Sequence, residues 1–142
     1  MDLAVKWRFF RRLLGGNDPE AERVYRWHIE KRSGPRMHLG LATDQWKSSV
    51  DDYVIAARKL CDSMRAYGFQ PDGAIPVDPN RELLGGAHRL ACAIALSIPW
   101  VSVVELPRMV WAPPWHLEWF VEHGMTSSDL KRLEQDWELL HW

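Results

Sequence analysis

The sequence predicts a single domain of mixed helix and strand, in the α+β class. Two observations lead to this class. The segment 44–106 alternates helix-like and strand-like patterns, whereas residues 1–36 and 107–142 are helix-like. At 142 residues, with 46% hydrophobic and 26% charged side chains, the chain has the size and composition of one globular domain. We therefore expect one domain over residues 1–142, with its core at 44–106.

Composition and charge exclude several classes of function. A formal net charge of −1 gives the chain no overall attraction for nucleic acid. The two cysteines, Cys61 and Cys92, are too few for a disulfide scaffold or a zinc site, and they indicate a reducing, cytoplasmic location. Basic residues interrupt the N-terminal segment, and Pro99 interrupts the longest uncharged run. We therefore expect neither a secretory signal nor a membrane span.

Residues 2–14 are predicted to form the first helix. Its apolar side chains recur at the helical period, at Leu3, Trp7, Phe10 and Leu14. Because the opposite face is basic, the helix either packs on its own domain or lies on an anionic membrane, and the apolar stripe favours packing on the domain. A second helix is expected to start at the turn 17–19 and to end at Gly34–Pro35.

The core segment is predicted to alternate helices with short strands. A strand is expected at 37–43, followed by a helix over 48–68 that Ser48 or Ser49 caps and Gly68 ends. The elements predicted after it are a strand at 74–77, a turn at 78–82, a strand at 82–84, a helix at 87–97 and a strand at 100–106.

The C-terminal tail is predicted to form two helices. The first starts at Pro113–Pro114 and ends at Gly124, and the second starts at a capping-box-like pair, Thr126 and Asp129. The chain has nine tryptophans, most of them in its last third. We expect their rings to fill the core, with a platform for sugars or bases as the alternative.

The stretch LLGGAHRLACAIAL, at 83–96, places two glycines directly before a His-Arg pair. A strand that ends in Gly85 and Gly86 and turns at once into a helix directs the free N–H groups of that helix at one point. Cations in the first turn of a helix are unfavourable, because the helix dipole is positive there. An anion bound among them would offset this repulsion. Arg89 offers a fork for phosphate, and His88 offers a donor or a proton carrier. A tight turn with a locally capping histidine is the alternative.

Several motifs occur together in residues 48–106: a helix that ends in glycine, the strand IPV, the loop GGAHR, an alanine-rich helix and the strand VSVVEL. In this combination the segment resembles the ParB/sulfiredoxin superfamily. The resemblance implies a small mixed sheet flanked by helices, with residues 1–36 and 107–142 as helical extensions. It also implies that the GGAHR loop binds nucleotide phosphates.

Two departures narrow what the resemblance implies. Sulfiredoxin-like members carry a reactive cysteine where this chain has Ala87, and Cys92 lies on the following helix, so thiol repair is not expected. Partitioning members carry a Glu-Arg-Arg type loop and a long helix-turn-helix region, whereas this chain has GGAHR and a short acidic tail. DNA phosphates would repel that tail, so a ParB-like DNA-binding protein or nuclease is an alternative that we do not favour.

The ATP-dependent, kinase-like members are the most similar, since they keep His-Arg and lack the loop cysteine. By this resemblance the loop Gly85–Arg89 cradles the phosphates of ATP or another nucleoside triphosphate, used together with Mg²⁺. Lys59 and Ser63 lie four positions apart on one helical face and are predicted to extend the site, with ordinary surface positions as the alternative. A non-catalytic nucleotide-binding switch or adaptor is the alternative to a kinase.

Phosphoryl transfer needs a carboxylate that orients the attacking hydroxyl and holds metal. Asp78, directly after the IPV strand, is the first candidate for this carboxylate and for a metal ligand. Glu82 and His88 complete the predicted catalytic set. Asp78 precedes a Pro-Asn pair and is equally typical of a turn residue. The alternative carboxylates are Glu30, Asp44, Asp51 and Asp52.

The basic, aromatic N-terminal helices and the tryptophan-rich tail resemble those of small proteins encoded beside polysaccharide biosynthesis genes. This resemblance implies a sugar or glycan precursor as acceptor, with Trp111 or Trp115 stacking on the sugar. We therefore expect a phosphotransferase that acts on a small hydroxylated acceptor. A nucleotide and that acceptor are the expected partners, nucleic acid is not, and the many apolar and aromatic residues are compatible with a homodimer.

Overall fold

A computed structural model describes residues 1–38, 47–107 and 115–140, and of residues 35–38 only the backbone. A helix-rich fold with a small parallel sheet confirms the coarse α+β class. In chain order the elements are α1 (Asp2–Leu13), α2 (Ala21–His38), α3 (Val50–Tyr67), a short 3-10 helix (Pro71–Gly73), β1 (Ile75–Val77), α4 (Ala87–Ala95), β2 (Val103–Glu105), α5 (Leu117–Glu122) and α6 (Ser127–Glu138).

The first helix, α1, lies at the centre of the core. Phe9 and Phe10 are completely buried, and the helix packs against α2, α3, α4 and α6. The predicted packing of α1 on its own domain is therefore confirmed. Its basic face differs from the expectation, because Lys6 and Arg8 are buried. Within the described ranges, no helix is both long enough and apolar enough to cross a bilayer.

The second helix continues past its predicted end. It runs through Gly34 and Pro35 to His38, so the prediction that the helix ends at this pair is wrong. Proline already has a helical φ, and one lost hydrogen bond near a helix end does not terminate the helix. A Cβ on Gly34 would lie 3.0 Å from the carboxylate of Glu30, so glycine makes room for that side chain. The strand predicted at 37–43 is therefore wrong at its first two positions, and the others lie outside the described residues.

The third helix, α3, begins at the capping box that the sequence indicates. The hydroxyl of Ser49 accepts a hydrogen bond from the N–H of Asp52, and the Asp52 carboxylate accepts one from the N–H of Ser49 at 2.9 Å. Gly68, with a φ of +72°, ends the helix as predicted. The apolar face packs on α1, α2 and α4, and its buried side chains are Tyr53, Val54, Ala57, Cys61 and Met64.

The sheet consists, within the described residues, of β1 and β2 paired in parallel, and α4 forms the crossover between them. The strand predicted at 82–84 is reduced to an isolated bridge between Leu83 and Val77. The N–H of Leu84 donates to the carbonyl of Pro76 at 3.0 Å, but proline has no N–H to donate in return. The antiparallel pairing therefore stops after one bridge.

Helix α5 packs against α2 through aromatic rings. The ring of Trp27 on α2 lies 6.2 Å, centroid to centroid, from Trp119 and from Phe120 of α5. Helix α6 begins as predicted at Thr126, whose hydroxyl accepts a hydrogen bond from the N–H of Asp129 at 3.2 Å. These contacts agree with a core-filling role for Trp27 and Trp119, whereas Trp100 is 61% exposed and does not fill the core. The predicted start of α5 at the Pro-Pro pair lies outside the described residues.

Candidate phosphate-binding site

The two glycines of the GGAHR loop have different structural roles. Gly86 is the N-cap of α4 in the left-handed region, with a φ of +72°, and a Cβ there would lie 3.1 Å from Nη2 of Arg89 and 3.4 Å from Ile75. The backbone itself therefore requires glycine at this position. Gly85 has no positive φ, and a Cβ there would contact only Pro76, at 3.4 Å. The packing of the protein does not require glycine at this second position.

The N-terminus of α4 presents backbone donors. Leu90 is the first residue whose N–H bonds back into the helix, to the carbonyl of Gly86 at 3.0 Å. The N–H groups of Ala87, His88 and Arg89 take part in none of the hydrogen bonds between described residues. These donors and the positive end of the helix dipole favour an anion at this point.

Arg89 is folded back onto its own domain. Its Nη1 donates to the carbonyl of Gly73 and, at 3.2 Å, to that of Ala74. This links the start of α4 to the segment that leads into β1. The Nη2 atom, by contrast, lies beside Gly86. Part of this guanidinium therefore has a structural role, and the rest of it faces the glycine turn.

The side chain of His88 points into the core. Its Nε2 lies 2.8 Å from the hydroxyl of Tyr25, and its ring makes edge contacts with Tyr25 and with Phe10. Burial, together with the charges of Lys6 and Arg32, lowers the pKa of His88 well below the ordinary histidine value. His88 is therefore a neutral imidazole at pH 7, held beneath the first turn of α4.

The positive charges of three residues, Lys6, Arg32 and Lys47, disfavour the charged form of His88, and the carboxylate of Asp2 favours it. We call Lys6, Arg32, Lys47 and Asp2 the cationic cluster. Lys6 is 1% exposed and lies 2.5 Å from Asp2, and Arg32 lies 3.5 Å from the same carboxylate. Burial lowers the pKa of Lys6 to about 8, against the opposing effect of Asp2.

A second buried histidine adjoins the cluster. His28 is completely buried, its Nε2 lies 3.4 Å from the Asp2 carboxylate, and within the described part of the chain neither ring nitrogen has a hydrogen-bond partner. Burial lowers its pKa to about 3. Its ring packs against those of Trp115 and Trp119, and the Arg32 guanidinium lies 5.8 Å from the Trp115 ring centroid. The structure therefore places one predicted acceptor-binding residue, Trp115, beside the cluster.

The predicted catalytic carboxylates lie in the turn after β1. Asp78 is completely buried, and its Oδ1 accepts hydrogen bonds from the N–H groups of Asn80, at 2.9 Å, and Glu82, at 2.8 Å. This is the turn role that the sequence left open as an alternative. The side chain of Glu82 is exposed. Within the described residues, no group of three or more His, Cys, Asp or Glu side chains is arranged to hold a metal ion.

Other predicted positions lie apart from the loop or outside the described residues. Lys59 and Ser63 are exposed on the face of α3 opposite its buried stripe. Trp111 and Asp44 lie outside the described residues. Sequence reasoning missed Asp2, Lys6, Tyr25, His28 and Arg32. One signal was available: Lys6 stands three positions after Leu3 and four before Phe10, on the apolar stripe of α1, where a charged side chain needs a buried partner.

The chain is matched by no protein-family model, by no curated protein and by no solved structure.

Proposed function

We propose that this protein binds a nucleotide through its phosphates at the N-terminus of α4, and that it transfers a phosphoryl group to a small hydroxylated acceptor. One observation carries the proposal. The N–H groups in the first turn of α4 have no partner among the described residues, and the positive charges of Lys6, Arg32 and Lys47 act on His88 in that same turn. The similarity of the GGAHR loop to the kinase-like members of the ParB/sulfiredoxin superfamily supports the same ligand.

The electrostatics of the cluster fit an anionic ligand better than an empty site. Burial, and after it the positive charges of neighbouring residues, lower the pKa values of His88 and Lys6. A bound phosphate would offset this repulsion and would accept hydrogen bonds from the α4 N–H groups. Gly85 is suited to such a ligand because its missing side chain serves no packing purpose inside the protein.

The residues present fit the phosphates of ATP better than they fit a dedicated Mg²⁺ site. Asp78 is buried and holds its own turn, whereas Glu82 is exposed at the end of that turn. When bound, ATP would supply the phosphoryl group and bring Mg²⁺ on its phosphates. A Mg²⁺ ion bound in this way usually needs only one or two protein carboxylates as further ligands. We therefore propose Glu82, rather than Asp78, as the carboxylate that orients the acceptor hydroxyl.

The acceptor is proposed to lie near Trp115. The ring of Trp115 is only partly buried, and the Arg32 guanidinium lies above it. An aromatic face next to a cation and the Asp2 carboxylate suits a hydroxylated ligand such as a sugar, which combines an apolar ring face with polar hydroxyls.

A nucleotide-binding switch without transfer is the second candidate. The hydrogen bonds of two predicted site residues favour it. Asp78 accepts hydrogen bonds within its own turn, and Arg89 donates to the carbonyls of Gly73 and Ala74, so both side chains hold the fold. A switch needs the phosphate cradle but no carboxylate for transfer.

A phosphoryl-transfer assay separates the two candidates. Wild type is incubated with ATP, Mg²⁺ and a panel of sugars, beside Glu82→Gln and the control Asp72→Asn, which alters an exposed carboxylate in the 3-10 helix. We expect Glu82→Gln to lose transfer by a factor of about 10²–10⁴ while retaining ATP binding. ATP binding without transfer to any acceptor would favour the switch. Wild type that does not bind ATP would reject both candidates.

A further inference from the structure

A second group of arginines lines a pocket on another part of the molecule. The pocket lies between α1, the turn at residues 16–18 and α6, and it shares no residue with the cationic cluster. Its volume is about 80 Å³, well below the roughly 300–1,000 Å³ of sites that enclose a whole drug-sized ligand. It therefore suits one charged group rather than an entire nucleotide. Its charged lining residues are Arg8, Arg11, Arg12, Asp18, Arg132 and Asp136.

The floor of this arginine pocket contains polar atoms that form no hydrogen bond with any described residue. Arg8 is 8% exposed, and its Nε and Nη2 donate to Asp18 at 2.6 and 3.1 Å, but its buried Nη1 donates to no residue that the structure describes. Asp136 is 1% exposed and accepts a hydrogen bond from Arg132 through Oδ1 at 3.2 Å. Its buried Oδ2 accepts no hydrogen bond from any described residue, although it lies 3.8 Å from Nε of Arg8. A buried donor and a buried acceptor thus line one pocket. A buried polar group that does not form its hydrogen bonds costs free energy.

The rim of the arginine pocket adds positive charge. Arg11 and Arg12 are exposed at the end of α1, and Arg11 lies 4.9 Å from the ring centroid of Trp7. Neither forms an ion pair with any other described residue, whereas Asp18 and Asp136 are already paired with Arg8 and Arg132. The pocket therefore carries four guanidinium groups against two carboxylates.

We propose that the arginine pocket binds the hydrogen phosphate group of a small phosphorylated molecule. Its phosphate oxygens accept hydrogen bonds from Arg8 Nη1 and from Arg11 and Arg12, and its P–OH donates to Oδ2 of Asp136. Arginine suits this ligand because its planar fork matches the geometry of phosphate oxygens. A carboxylate or sulfate ion would satisfy the arginines but has no hydrogen to donate to Asp136.

The experiment is a ¹H–¹⁵N NMR titration of the full chain with inorganic phosphate at constant ionic strength. We expect saturable shifts at the Gly16, Asn17 and Asp18 amides. The double variant Arg11→Gln/Arg12→Gln, which changes only exposed side chains, should weaken this binding at least fivefold. The control Arg65→Gln removes an exposed arginine of α3 and should bind as wild type does. Sulfate should bind several-fold more weakly than phosphate.

Three results would overturn the proposal: no saturable shift at residues 16–18, a double variant that binds phosphate as tightly as wild type, or equal affinity for sulfate and phosphate. The titration reads the two sites separately, because shifts at Ala87, His88 and Arg89 report on the α4 site. If phosphate does not bind at one site, the titration therefore still tests the other site.

Discussion

Two adjacent glycines that look equivalent in the sequence have separate roles in the structure. Gly86 has a left-handed φ of +72° and lies against Arg89, whereas Gly85 has neither constraint. Gly86 is explained by the fold alone. Gly85 needs a ligand-based explanation, and the phosphate hypothesis supplies one.

This difference predicts opposite outcomes for two alanine substitutions. Gly86→Ala should lower the free energy of unfolding by about 1–2 kcal/mol, because alanine is strained at that φ. Gly85→Ala should change it by no more than about 0.5 kcal/mol, since the new methyl group meets only Pro76 and the unfolded chain loses some freedom. Chemical denaturation measures both. Gly85→Ala should nevertheless weaken nucleotide binding, and a variant that binds as wild type does would remove the ligand-based explanation of this glycine.

The direction in which a side chain points could not be predicted from the loop sequence. The residue types in GGAHR indicate an anion site, yet Arg89 bonds to carbonyls from the segment before β1, and His88 turns inward to Tyr25. Both partners come from parts of the chain that the local pattern does not specify. For the same reason the buried position of Asp78 became visible only once the turn was folded.

Buried neutral histidines make stability depend on pH. The pKa of His28 falls to about 3 on folding, so the unfolded chain binds a proton that the folded chain does not between that value and about 6.5. Stability is then fully present above pH 6.5 and decreases as pH falls, by about 2 kcal/mol between pH 7 and pH 5 from this residue alone.

The substitution His28→Phe tests this pH dependence. It should remove about one proton from the uptake that accompanies unfolding between pH 5 and 7, measured from the slope of the unfolding free energy against pH. The control His116→Gln alters an exposed histidine and should leave the slope unchanged. An unchanged slope in His28→Phe would show that the buried ring is not the group that titrates.

At the scale of elements, local signals predicted most of the secondary structure. The capping pair Ser49–Asp52 and the N-cap Thr126 start α3 and α6 as the sequence indicates, because the bonds involved join residues three positions apart. The strands expected at 74–77 and 100–106 are present over three residues each. Such features depend on neighbours in sequence, which is why they could be predicted.

The elements that were mispredicted depend on partners elsewhere in the chain. The strand expected at 82–84 needed a second antiparallel bond from Pro76, which proline cannot donate. The end expected for α2 at Gly34 and Pro35 assumed that both residues break helices. Gly34 instead makes room for Glu30, and Pro35 takes the φ that a helix requires.

At the scale of the molecule, the central position of α1 joins the two ends of the candidate site. Helix α1 carries Lys6 and Asp2, and it packs against α4, whose first turn presents the backbone donors. Residues separated by some eighty positions, such as Phe10 and His88, are therefore in contact. Sequence patterns located the loop but not the cations, because this long-range packing is decided by the whole core.

Thermal unfolding with and without ligand tests phosphate binding at α4 most directly. Wild type, Arg32→Gln/Lys47→Gln and the control Arg65→Gln are heated with ATP and Mg²⁺, with inorganic phosphate, or with neither. At about 100 times its Kd, a ligand should stabilise wild type and the control by about 2.7 kcal/mol, a rise in Tm of roughly 6–10 °C. The double variant should lose most of the rise that ATP and Mg²⁺ produce.

The result that would contradict phosphate binding at α4 is equally specific. If neither ATP nor inorganic phosphate raises the Tm of wild type, or if the Arg32→Gln/Lys47→Gln variant shows the same rise as wild type, the cations around His88 do not hold a phosphate.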